Sequence, residues 1–242
     1  MRALIFAQRN FKEIIREPLS IIFAVILPLF LLYVFQQFKI PSEIYNIENF
    51  TPGIIIFSLA FITMFTASLV AKDRCSSLTA RLGVSPMCGV DYILGYILAV
   101  IPMIIIQSVL FFIVAIMLGL KFNVNVIYTI LTVVPISLLF ILFGILIGTL
   151  TTEKSSLGIS SIVVQLVAFT SGMYFTTDMV GSTFNTICHI LPFESTLNII
   201  KGILNGNYSN MLHDIIIVSI YTFTIMILAV ILFKRKMISD NK

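Results

Sequence analysis

Six long stretches of this 242-residue chain contain no Asp, Glu, Lys or Arg: 18–38, 49–71, 92–120, 122–152, 155–177 and 215–233. All are dominated by Ile, Leu, Val and Phe. A bilayer core about 30 Å thick is crossed by roughly 20 apolar residues in a helix. Inside lipid a helix satisfies its own backbone hydrogen bonds. The stretches therefore predict an all-α polytopic membrane protein with six transmembrane helices, at about 19–38, 53–71, 92–118, 127–150, 157–177 and 213–233. Composition leaves no room for a soluble domain: 59% of residues are hydrophobic, 11% are charged and the mean hydropathy is +1.08, whereas soluble domains average about 25% charged residues. Residues 1–242 read as a single transmembrane domain.

Charge gives an orientation. An even number of spans puts both termini on one side. Twelve Lys and Arg then fall on that side, in 1–18, the loop after span two, the loop after span four and the tail, against three on the other: Lys39, Lys121 and Lys201. The excess of basic residues marks the cytoplasmic side, so both termini are expected in the cytoplasm and the protein in the cell membrane. The pI near 9.0 comes from residues flanking spans, which points to lipid headgroups and not to nucleic acid. Cys75, Cys88 and Cys188 lack the spacing of a metal site or redox pair. The first apolar run is too long for the core of a cleaved signal peptide and reads as an uncleaved signal anchor.

Residues 1–18 read as a helix lying in the membrane surface. Leu4, Ala7, Phe11, Ile14 and Ile15 recur at helical spacing, with Arg9, Lys12, Glu13 and Arg16 opposite. Pro28, Pro102 and Pro135 fall inside spans, where each removes a backbone donor and favours a kink. Span five is rich in small residues, with Gly158 and Ser161 near its start and Ser171-Gly172 near its end. Small residues let helices approach closely, either within the subunit or at a dimer interface or pathway wall. Segment 184–204 is too apolar for a free loop and is divided by Pro192, which predicts two short helices re-entering the outer leaflet before the last span. Asn49-Phe50-Thr51 and Asn207-Tyr208-Ser209 match a glycosylation pattern that is frequent by chance.

The chemistry expected of several other classes is missing from the sequence. No ionisable residue lies near the middle of a span, where proton- or sodium-coupled carriers keep theirs. There is no His-Glu-x-x-His, and His189 and His213 are isolated. No catalytic or metal-ligating set emerges. No Gly-x-x-x-x-Gly-Lys-Ser/Thr is present to cradle ATP phosphates, so any energy must come from a partner.

The most specific segment lies between spans two and three, from Ala71 to Pro86. It is short and mixed in charge. Ser76 or Ser77 can cap a helix of one or two turns that sets Leu78 and Leu82 on one face, and Pro86 would end it. This segment resembles the first cytoplasmic loop of the type-2 ATP-binding-cassette (ABC) exporter permeases. Asp73, Arg74, Leu78, Arg81, Leu82, Ser85 and Pro86 carry the likeness. Ser76-Ser77 stands where Gly-Thr is usual, and Ala80 where a glutamate is usual. Arg16-Glu17-Pro18 before span one, Pro28 within it, and Pro192 followed by Lys201-Gly202 agree with the same pattern. The resemblance implies the membrane-spanning subunit of an exporter that catalyses no bond cleavage and binds no cofactor itself. ATP and Mg would sit on a separate ATPase subunit, present in two copies, beside a second permease subunit. Asp73, Arg74, Leu78, Arg81, Leu82, Ser85 and Pro86 would couple the ATPase to the spans, together with Phe11, Lys12, Arg16 and Glu17 of the interfacial helix. The cargo would be hydrophobic or amphipathic: an antibiotic or other drug, a peptide, a lipid or a lipid-linked glycan. A non-transporting membrane anchor is the alternative reading, and a secondary carrier a weaker one.

Overall fold

The computed structural model describes residues 2–38, 45–75, 89–174, 181–209 and 211–240. Among these the chain is all-α. Helix α1 (Arg2–Ile15) precedes α2 (Pro18–Ile21), a π turn (Ile22–Ile26) and α3 (Leu27–Gln37). Then follow α4 (Ile47–Cys75), α5 (Gly89–Met117), α6 (Val124–Leu150), α7 (Glu153–Thr170), α8 (Ser182–Ile190), α9 (Pro192–Asn205) and α10 (Met211–Asp240).

Four helices are long and apolar enough to cross a membrane: α4, α5, α6 and α10 through Lys236. Helices α8 and α9 together make a fifth candidate, bent by 72° at their junction. The first and fifth predicted spans are less regular. The first is broken into α2, the π turn and α3. The N–H of Leu27 reaches back to the carbonyl of Ile22, one residue further than in an α-helix. Pro28 follows at once, and a proline ring clashes with the carbonyl four residues earlier, so the turn widens. The fifth ends at Thr170, seven residues before its expected end at 177, and begins with Glu153 and Lys154.

Local chemistry sets several boundaries. Asn123 caps α6 by accepting from the Val126 N–H at 3.3 Å. Leu191, ahead of Pro192, is held extended (φ −75°, ψ 145°), which makes the bend between α8 and α9. Gly206 ends α9 in the left-handed region at φ 69°.

Helix α4 is the hub, packed against α3, α5, α6, α7 and α9. Its residues 50–60 are all buried. The closest crossing is with α6, at Gly144 and Gly148. A Cβ on Gly144 would lie 2.6 Å from the Thr63 carbonyl oxygen, and one on Gly148 would lie 2.5 Å from that of Ala67. Thr63 Oγ1 donates to the Phe140 carbonyl at 3.0 Å across the same interface. This Gly-x-x-x-Gly pair brings the two backbones together. By contrast α10 buries only a stripe containing Val218, Ile225, Ala229 and Phe233, and exposes Leu212, Ile216, Ile220, Phe223 and Ile227. So wide an apolar exterior belongs to a protein whose solvent is lipid. At the end of the bundle away from α1, Phe35 stacks on Tyr45 (5.5 Å) and packs on Phe50 (5.0 Å). The Tyr45 hydroxyl donates to the Tyr174 carbonyl at 3.1 Å.

Candidate functional site

The polar chemistry of the described chain concentrates where α1 meets the ends of α4, α5 and α6. Helix α1 lies along α5. Phe6 sits edge-on between Tyr92 (5.5 Å) and Tyr96 (5.1 Å) and against Gly95, where any side chain would collide with its ring. Phe6, Ala7, Asn10 and Ile14 form the buried face. Of the expected apolar face Leu4, Ala7, Phe11, Ile14 and Ile15, Ala7 and Ile14 are buried against the bundle, while Leu4 and Ile15 are exposed apolar residues. The α5 surface, with its gap at Gly95, selects a face rotated toward Phe6 and Asn10.

That rotation brings Arg9 and Glu13, expected on the outer face, against α4. Arg9 pairs with Asp73 Oδ2 at 2.7 Å and with Glu13 at 2.6 Å, and donates to Asn10 Oδ1 at 2.8 Å. The Tyr96 hydroxyl donates to the same Asp73 oxygen at 2.9 Å. Lys72 continues the chain of charges, to Glu13 at 3.2 Å and Glu17 at 2.9 Å. The Asp73 side chain is only 4% exposed, and a buried carboxylate is tolerated only when paired and hydrogen-bonded. Burial works against the Arg9 guanidinium, but Asp73 and Glu13 more than offset it, so its pKa lies above the ordinary arginine value.

Arg74 adds a second tie. Its guanidinium donates to the carbonyls of Gly148 (3.0 Å), Thr149 and Thr151 (3.3 Å) at the end of α6. A cation there answers both the unpaired last-turn carbonyls and the negative pole of the helix. One short stretch of α4, Lys72–Arg74, thus joins α1, α5 and α6 immediately before the segment to α5 departs.

Of the residues singled out from sequence, Asp73, Arg74 and Glu17 enter this joint. Phe11 is half-buried at its flank, while Lys12 and Arg16 are exposed. Leu78, Arg81, Leu82, Ser85 and Pro86 lie outside the described residues, as does Cys88. Gly158 and Ser161 are exposed on α7, with nothing within 4 Å of a Cβ at Gly158. Ser171 is buried, and Gly172 adopts φ 78° beyond the helix end, so the four do not form one face. Sequence reasoning missed Asn10, Gly95 and Tyr96. The Gly95-Tyr96 pair inside an apolar helix was the available signal. Among the described residues no group of His, Cys, Asp and Glu could hold a metal ion.

Comparison with known families agrees with this architecture. The family model for ABC-2 type transporters matches residues 2–205, from α1 through α9. The chain belongs to the ABC-2 type transporter family and is a membrane permease component of an ABC transporter. Comparison with curated proteins returned no matching sequence.

Proposed function

We propose that the chain is the permease subunit of an ATP-driven exporter in the cell membrane, with six spans and both termini in the cytoplasm. The broken helix α2–α3 and helix α7 serve as the first and fifth spans, and α8–α9 as a re-entrant pair in the outer leaflet. Two such subunits enclose the pathway, and two separate ATPase chains that hold ATP and Mg bind below. The family typically works with an ATPase subunit, and the sequence carries no phosphate-binding loop of its own. The twelve-to-three distribution of basic residues supports the orientation.

The observation that carries the reading is the Arg9–Asp73–Tyr96 joint. It fixes α1 to the end of α4 from which the 76–88 segment leaves, so a push on that segment or on α1 reaches α4, α5 and α6 together. Leu78 and Leu82 would be the ATPase contact, and Gly158 and Ser161 would face the second permease or the pathway. The apolar exterior and spans without midplane charge favour a hydrophobic or amphipathic cargo. Reconstitution with the ATPase partner tests this: ATP-dependent export should require the Arg9–Asp73 pair. Export at the wild-type rate by Asp73→Ala, inserted normally, contradicts it.

A further inference from the structure

A lateral groove opens beside the joint, where α1, the π turn and α5 converge. Its volume is about 210 Å³, and Phe11, Ile14, Val25, Met103 and Ile106 line it. Gln107, its one polar lining residue, is buried and donates its amide N–H to Ser58 Oγ at 3.3 Å, while its Oε1 has no hydrogen-bond partner among the described residues. The rest of the lining is hydrocarbon or thioether. Its rim faces the bilayer, because the lining residues Ile15 and Ile106 are each 57% exposed. An apolar space of this size does not hold water, and left empty it forfeits the dispersion contacts of its walls. Acyl chains surround it.

Two cations stand on α1 next to this groove. Lys12 and Arg16 are exposed, four residues apart on one face and each adjacent in sequence to a groove residue, Phe11 or Ile15. Neither side chain has a hydrogen bond or ion pair among the described residues. Arg9 and Lys72, by contrast, are committed to Asp73, Glu13 and Glu17. A basic pair with no partner among the described residues, beside an apolar slot, matches a ligand with a phosphate at one end and hydrocarbon at the other. We propose that this groove is a binding site for one anionic phospholipid, with an acyl chain between α1 and the π turn and the phosphate on Lys12 and Arg16. The site needs only membrane residence and not the exporter reading.

The test uses the full chain in phosphatidylcholine nanodiscs with and without phosphatidylglycerol, with retained lipid read by native mass spectrometry after detergent extraction. Phosphatidylglycerol should be retained in preference to phosphatidylcholine. K12Q/R16Q should weaken that retention about thirtyfold, since each headgroup-level cation contributes about 1 kcal/mol to binding an anionic surface. Val25→Phe, which fills the slot, should remove the retained lipid while leaving the melting temperature near wild type. If that variant misfolds, Ile106→Trp at the mouth should do the same. Three results overturn the proposal: no preference for phosphatidylglycerol, full retention in the filled variants, or K12Q/R16Q losing ATPase binding with lipid retention intact.

Discussion

Arg9→Gln removes the cation on α1 that pairs with Asp73. The size of the effect follows from unequal burial: the Asp73 side chain is 4% exposed and that of Arg9 38%. Breaking a fully buried pair costs about 3–5 kcal/mol, and an exposed pair contributes about 0–1 kcal/mol. With Arg9 discounted for its exposure, Arg9→Gln should cost about 2–3 kcal/mol, because Asp73 keeps the Tyr96 hydroxyl at 2.9 Å but loses its guanidinium. Asp73→Asn removes the buried charge itself and should cost about 1–2 kcal/mol, close to one hydrogen bond to a charged group. The double variant should then resemble Asp73→Asn, with a coupling energy of about 2–3 kcal/mol, the whole of the Arg9→Gln effect. Thermal unfolding followed by circular dichroism reads this, at about 2–4 °C per kcal/mol for a chain of this size. A spin label at exposed Gln8 should become more mobile in Arg9→Gln alone. Strict additivity of the two single effects, with label mobility unchanged in all three variants, refutes the claim that this pair holds α1 in place.

Gly148→Ala should destabilise by about 1–3 kcal/mol through collision with Ala67 and Val70, whereas Gly158→Ala should stay within about 0.5 kcal/mol; parallel melts compare them. Gly158→Leu should leave the subunit folded yet reduce dimer formation, measured by native mass spectrometry. Arg74→Gln should fray the end of α6, seen as faster hydrogen exchange at residues 148–151, with export reduced. A single cysteine at Ser42 or Asn207 should react with an impermeant thiol reagent in intact cells, and one at Ser76 should not; labelling at Ser76 reverses the proposed orientation.

Much of the bundle was legible because lipid imposes a simple code. Uncharged apolar runs located α4, α5, α6 and α10, though α10 runs on to Asp240, seven residues past its run, and Pro192 gave the α8–α9 break. What sequence could not give was which side each helix turns toward protein. Helix α4 is apolar all round, so its place at the centre leaves no periodic mark. Gly144 and Gly148 form a spaced pair at the α4–α6 crossing, but the Ser and Gly density of span five was the louder signal. On α1 the apolar stripe read from spacing mixes lipid-facing with protein-facing residues. Arg9 and Glu13 looked like a solvated face because their partners, Lys72 and Asp73, are more than fifty residues away in the chain. The joint was half legible: the segment starting at Asp73-Arg74 stood out, but its tie to α1 through Tyr96 and Arg9 is a property of three helices at once.

The central claim is that this chain converts the work of a separate ATPase into movement of its spans through α1 and the 76–88 segment. Nanodiscs holding the chain with its ATP-binding-cassette ATPase partner test it most directly, with ATP hydrolysis and cargo export recorded together. The chain alone should hydrolyse no ATP, and the complex should hydrolyse and export with two copies of each subunit. Leu78→Asp with Leu82→Asp should abolish export and release the ATPase while the permease stays folded. Two Leu side chains at a partner surface contribute on the order of 2–5 kcal/mol before ordering costs. Hydrolysis by the chain alone, or wild-type export by the double aspartate variant with its ATPase still bound, contradicts the account.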